Sequence, residues 1–386
     1  MLAAFAVGLA VSISLAEVAL GILAAIVVVE HYRRGVWLPA LPLVGPIVGF
    51  AAWTLVAALF SERPLQSVVS ARSVVWLATV WAVFHALETR DSLSAFARVF
   101  LAALGVVALV GVVQGVACPA TAPGGVLDLV FRKCGRARGF YSIYMTLGGV
   151  LMLVMVATLP WLVVRATRFP ALGAGWLVSA GALAATQVRG AWVGFGIGAA
   201  IVALASRRRL LVAALAVVAL VAILASPAAR SRFRYDEAAD DRFAMLAGGL
   251  AIALDHPLVG IGPGQVKHAY PLYAPPTAHR RSTSHLHDTP MQVLVERGVI
   301  GLAFWIAIFV AFFRHAWRVY RALPPTAVDD RALVFGAIAA IAAFLGAGLF
   351  EYNFGDTEVL LVACVLMAMP FVVERLHAAG SQGGAT

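Results

Sequence analysis

Apolar runs long enough to cross a lipid bilayer recur through almost the whole chain, and nothing constrains its fold more. A hydrocarbon core about 30 Å thick is spanned by roughly 20 residues of helix rising 1.5 Å each. Candidate spans fall at 2–14, 16–30, 39–60, 66–87, 93–117, 141–164, 171–187, 190–205, 209–226, 289–313, 332–349 and 358–373. The first two are either short helices broken near Ser14 to Glu17 or one long tilted helix. None of these runs alternates as a membrane strand would, and in lipid only helices and closed barrels satisfy their own backbone. The expected fold is therefore all-α: a polytopic transmembrane helical bundle of about twelve spans, one integral membrane domain over 1–386. Composition agrees, since 62% of residues are apolar and 12% charged, against roughly 45–50% apolar in soluble domains. Met1 to Val29 has neither a basic leader nor a small-residue cleavage site and reads as membrane sequence rather than a signal peptide.

The net charge of +10 is spread over short loops instead of one soluble face, which argues against a nucleic-acid partner. If twelve spans alternate, Arg33/Arg34, Arg165/Arg168, Arg207/Arg208/Arg209 and Arg314/Arg318/Arg321/Arg331 share one side. The positive-inside rule makes that side cytoplasmic. Two longer loops then lie outside, Cys118 to Phe140 and a loop over 226–288. They carry Arg136, Arg138, Arg242, Lys267, Arg280 and Arg281 among other cations, and orientation does not account for these.

Within the long loop, Phe243, Leu246, Leu250 and Leu254 recur at helical spacing, so Arg242 to Leu254 is expected to form an amphipathic helix lying on the bilayer. Pro257 ends it. Gly260, Gly262 and Gly264 with Pro263 follow as a tight turn; no strand precedes and no Lys-Ser/Thr pair follows, as a phosphate loop requires. Cys118 and Cys134 bracket the smaller loop, either bridged or free, and Cys364 lies in a span. Five histidines crowd the long loop, yet none completes a metal-ligand spacing, so neither metal nor cofactor is expected.

Three residues carry chemistry at the outer boundary. Arg189, where two spans meet with almost no loop, is either a snorkelling helix anchor or a clamp for an anion, its guanidinium matching phosphate and Gly190 letting a headgroup approach. Arg242 either pairs with Asp240 and Asp241 or serves a ligand. His287, beside Asp288 and Thr289 at the mouth of a span, is either structural or an acid–base group that titrates near neutrality.

Together these segments carry a resemblance. His287-Asp288, nine residues, Gly298, two residues, Gly301 resembles the H-N-x9-G-x-x-G signature of the O-antigen ligase and polymerase family, with Asp288 in place of the asparagine. Arg189-Gly190, Asp241-Arg242-Phe243, Asp255 to Gly262 and Phe350 to Phe354 resemble further family segments, in order. The resemblance implies a metal-independent, inverting glycosyltransferase of the bacterial inner membrane, facing the periplasm. The donor would be an undecaprenyl-diphosphate-linked glycan and the acceptor a hydroxyl of lipid A-core. It also implies that Arg189 and Arg242 hold the diphosphate, with Gly190, Asp288, Arg281 and Arg138 near the substrate, and that His287 takes the acceptor proton. A polymerase, a protein O-oligosaccharyltransferase and, in another class, a transporter of an anionic substrate are the competing readings. Transport finds no inverted repeat in the sequence.

Overall fold

The computed structural model describes the chain except residues 36–42, 119–124, 126–129, 132–134, 166–169, 207–236 and 384–386. Among the described residues there is no strand, and the chain is a polytopic helical membrane protein. Helices α1 (Leu2–Val11) and α2 (Ile13–Arg34) are separated at Ser12, whose hydroxyl caps α2. Of the two alternatives the broken one holds, with the break at Ser12, two residues ahead of the expected Ser14 to Glu17, and at about 15 Å α1 is half a crossing. Next come α3 (Val44–Leu59), α4 (Pro64–Ala71), a 3-10 segment (Arg72–Ala78) and α5 (Thr79–Ala86), so the span expected at 66–87 is three pieces in series. A capping box of Thr89 and Ser92 starts α6 (Arg90–Val116). Then follow α7 (Tyr144–Arg165), α8 (Pro170–Thr186) and α9 (Arg189–Ala205).

The segment between α9 and the next long helix contributes α10 (Glu237–Asp255) and the short α11 (Val266–Tyr273). Last come α12 (Thr289–Ala322), α13 (Val328–Gly348) and α14 (Thr357–Gly383). Among the described residues seven helical stretches are long and apolar enough to cross a membrane, and α1, α3, α8 and α9 are shorter apolar helices. The span expected at 209–226 lies outside the described residues. Cys118 is disulfide-bonded and Cys364 is free and buried; Cys134 lies outside the described residues.

Lipid tails are as apolar as leucine, so helices in a bilayer associate through close packing at small residues. Here α7, α9 and α13 meet at Gly194, Gly198 and Gly336, where any side chain would strike Met152, Val156 or the Ala157 carbonyl. The centre of the bundle is α7 and α14, whose apolar windows are 83% and 89% buried, against 28% and 33% for α2 and α6. A second, smaller core joins α10 and α11 through Met245, Ile252, Val266 and Tyr270, with Leu286 and Val295. The opposite side of α10 presents Phe243, Leu250 and Leu254, 73%, 50% and 70% exposed, the apolar stripe expected of an interfacial helix.

The two ends of the bundle differ. At one, Arg90 grips Asp330, Arg165 grips Asp329 at 3.1 Å and Arg34 approaches Glu88 at 3.9 Å, tying the starts of α6 and α13 to the end of α7 and the end of α2 to the α5–α6 connection. At the other lie the α8–α9 turn, the start of α12 and the Phe350 to Asp356 connection.

Candidate active site

Two short devices set the position of Arg189. Gln187 takes a left-handed conformation, φ 56°, reversing the chain between α8 and α9 within two residues. Arg136 then donates to the carbonyls of Thr186 (3.0 Å) and Gln187 (2.8 Å), which α8 leaves unpaired at its C-terminus, while stacking on Tyr144 at 3.3 Å. Arg136 is itself fixed by buried Gln114 on α6, whose oxygen accepts the Arg138 and Gly139 amides and whose nitrogen donates to the Gly139 carbonyl.

His287 and Arg242 are placed by a break in α12. Gly298, at φ 65° and ψ −174°, interrupts the helix in a conformation open in practice only to glycine. The Gly-rich turn after α10 fills the gap: the Val299 amide donates to the Pro257 carbonyl (2.8 Å), and the amides of Ile261 and Gly262 donate to the carbonyls of Val295 (2.9 Å) and Glu296 (3.0 Å). Beneath it, Glu296 accepts from Gln292 (2.8 Å) and Arg297 (2.7 Å), and Arg297 reaches Thr54 (3.1 Å). The two motif segments are thus one hydrogen-bonded unit that fixes α10 against α12. Gly298 serves this break, and Gly301 lies against Trp53.

At the head of α12, the Asp288 carboxylate caps the helix, accepting the Met291 amide at 2.7 Å, and burial pushes it above the usual carboxylate range. His287 sits just outside, at φ 53°, with the His285 ring edge-on at 4.3 Å. Burial, then the neighbouring His287, lowers His285 to about 4, against a small opposing pull from Glu351. His285 is therefore neutral at pH 7.

These elements enclose a cavity of about 200 Å³ whose lining includes Arg136, Arg189, Arg242, Arg280, His287 and Glu351. Four guanidinium groups face the two carboxylates of Asp241 and Glu351. The first residues of α7 and α9 also line it and His287 leads into α12, so three helix N-termini, each about half a positive charge, add to an anion-attracting field. Arg189, Arg242 and His287, proposed from three separate stretches of sequence, are brought together here. Arg138 and Arg281 are not in the lining: Arg138 donates to the Ser142 carbonyl at 3.2 Å and Arg281 is exposed. Arg136, two residues before Arg138, and Arg280, next to Arg281, line the cavity instead, because irregular backbone gives successive side chains no fixed periodicity.

Gly190 has a different reason from the one expected. It is buried, and a Cβ there would come within 2.8 Å of the Glu351 Cγ, so the glycine makes room for that side chain rather than for a headgroup. Glu351 itself was not singled out as a site residue. Its Oε1 accepts from Arg242 at 3.2 Å, its Oε2 lies 3.5 Å from the His287 Nδ1, and its carbonyl accepts from Thr289 at 2.9 Å. A sequence signal existed only as part of the Phe350 to Phe354 segment. Arg242 accordingly pairs with Glu351, while Asp241 accepts the amides of His279 and Arg280 at 3.1 Å each.

A polytopic helical chain with a cationic cavity and an imidazole at its wall has the groups to bind an anion and accept a proton. Residues 174–306, about a third of the chain, match the sequence profile of a family described as O-antigen ligase. The matched stretch holds Arg189, Arg242 and His287 together with Gly298 and Gly301, and supports a glycosyltransferase-like function of the O-antigen ligase or polymerase type. No curated protein matches the chain.

Proposed function

We propose that this protein transfers a glycan from undecaprenyl diphosphate to a hydroxyl of a lipid A-core acceptor at the periplasmic face of the bacterial inner membrane. The observation that carries the reading is the meeting of Arg189, Arg242 and His287 in one cavity. Bidentate guanidinium donors suit a diphosphate. As the anomeric C–O bond breaks, its electron pair passes to the leaving diphosphate, and Arg189 and Arg242 stabilise the charge that develops there. His287 takes the proton from the acceptor hydroxyl, whose oxygen attacks the opposite side of the anomeric carbon and inverts it. In the single domain 1–386, the part of the 226–288 segment from α10 onward lines the cavity, which suits lateral entry of the lipid. The exposed stripe of α10 rests in the bilayer surface beside the cavity.

His287→Ala, expressed in a strain lacking the gene, is expected to abolish long-chain lipopolysaccharide on a gel while the protein remains inserted at normal levels. Surface glycan near the wild-type amount in that variant overturns the mechanism. In the deletion strain, glycan accumulating as full-length chains on undecaprenyl diphosphate marks a ligase. Loss of all but single repeats marks a polymerase built on the same site.

A further inference from the structure

One carboxylate is shared between the groups that the proposed reaction uses separately. Glu351 is 12% exposed, and its two oxygens face different partners: Oε1 the Arg242 guanidinium at 3.2 Å, Oε2 the His287 Nδ1 at 3.5 Å. The second distance is just beyond a good hydrogen bond, and the His287 Nδ1 is buried with no hydrogen-bond partner. The carboxylate stem is fixed: Gly190 packs on its Cγ, and the Glu351 backbone accepts from Thr289 and donates to the Ala347 carbonyl. Its head therefore turns between two partners with little movement. The other charged or titratable groups facing the pair are Arg189 from α9, Asp241 from α10, Arg136 from the loop before α7, Tyr144 at the start of α7, and Arg280 and His285 from the loop before α12. His285 is neutral at pH 7 and Asp288 is turned to the α12 cap, which leaves Glu351 as the carboxylate within reach of the imidazole.

We propose that Glu351 is a positioning residue that couples donor binding to activation of the base: when the donor diphosphate takes Arg242, Glu351 closes on the His287 Nδ1–H. This rests on the diphosphate reading above. With Nδ1–H donating to Glu351, Nε2 is the lone pair left to accept the acceptor's proton, and the imidazolium formed is neutralised by the carboxylate. The proton moves from the acceptor oxygen to Nε2, the new C–O bond forms as the C–O bond to phosphate breaks, and Glu351 stays ionised throughout.

The test uses the full-length chain in nanodiscs, assayed with lipid-linked glycan and lipid A-core prepared from the source strain, with farnesyl diphosphate as a binding probe. Glu351→Gln, nearly isosteric, is expected to lower kcat by about a hundredfold. It should also move the acid limb of the pH–rate profile to lower pH, because the base has lost a neighbouring anion. Farnesyl diphosphate should bind severalfold more tightly, because Arg242 no longer has to leave a carboxylate. A merely structural role predicts weaker probe binding and an unmoved acid limb, and that result overturns the proposal, as does a wild-type kcat. Glu351→Asp keeps the charge and serves where the Gln variant melts early: it should retain an intermediate kcat with the limb in place, and a kcat as low as the Gln variant's counts against the proposal. Loss of probe binding by the wild type, or transfer surviving in His287→Ala, sinks the function reading itself. If those two hold and Glu351→Gln behaves as wild type, only the coupling fails.

Discussion

Guanidinium groups gather at both ends of the bundle, but they are held in opposite ways. At the end where α2, α5, α7 and α12 finish, four are held by two hydrogen bonds each: Arg90 is bidentate on Asp330, Arg165 donates twice to Asp329, Arg331 to the Tyr320 and Leu323 carbonyls, and Arg375 to those of Phe84 and Leu87. These arginines terminate helices and tie them together. At the other end Arg242 has one carboxylate contact at 3.2 Å, shared with a histidine, and a cavity in front of it. Charge alone does not mark a site; a cation whose partner is divided and whose outlook is open does.

Mutation should separate the two ends. The largest effect belongs to the cavity: Arg189→Ala and Arg242→Ala are expected to cut transfer about a hundredfold or more, with melting temperature nearly unchanged. Lysine at either position should be almost as damaging, since it offers no fork. Radiolabelled transfer with parallel thermal melts reads both. Gly298→Ala should damage both ends' properties at once, because its Cβ would fall on the Leu258 carbonyl and its dihedrals admit only glycine. A loss of about 3 kcal/mol of stability is expected, with activity falling in the molecules that remain folded. At the end opposite the cavity Asp330→Ala should cost about 1–2 kcal/mol by denaturant or thermal titration and leave transfer per folded molecule intact.

A pH effect comes next. His285 is held near 4 in the fold against 6.5 when free, so its contribution to stability is complete above about pH 6.5 and drains as pH falls toward 4. Melts at pH 7 and pH 5 should differ less in His285→Asn than in the wild type. The smallest effect is expected of Asp288→Asn, which introduces the asparagine of the signature this segment resembles: asparagine caps a helix about as well, so stability should move by under about 0.5 kcal/mol and transfer stay close to normal.

Much of this was legible in sequence, for physical reasons. Apolar run length fixes helix and membrane together; Arg189 stood out as a charge at a span end, Arg242 as a cation at the start of an amphipathic helix and His287 as an imidazole at a helix mouth, and the motif resemblance joined the three. What escaped depends on distant partners. The purpose of Gly190 is set by Glu351, on a connection more than a hundred residues away. The choice of Arg136 over Arg138, or Arg280 over Arg281, depends on which way an irregular loop faces. The 289–313 span runs on to Ala322 because Arg314, Arg318 and Arg321 continue the helix beyond its apolar part.

The stapled break at Gly298 makes the site a pair of calipers. One arm runs back along α12 to His287, the other back along α10 to Arg242, and both are pinned at a single pivot by the amides of Ile261, Gly262 and Val299. Each residue of helix turns about 100°, so one residue gained or lost on either arm would swing its tip away from the other's. The count of nine between Asp288 and Gly298 is a measured length, and the gap it sets between imidazole and guanidinium is the width of whatever the jaws close upon.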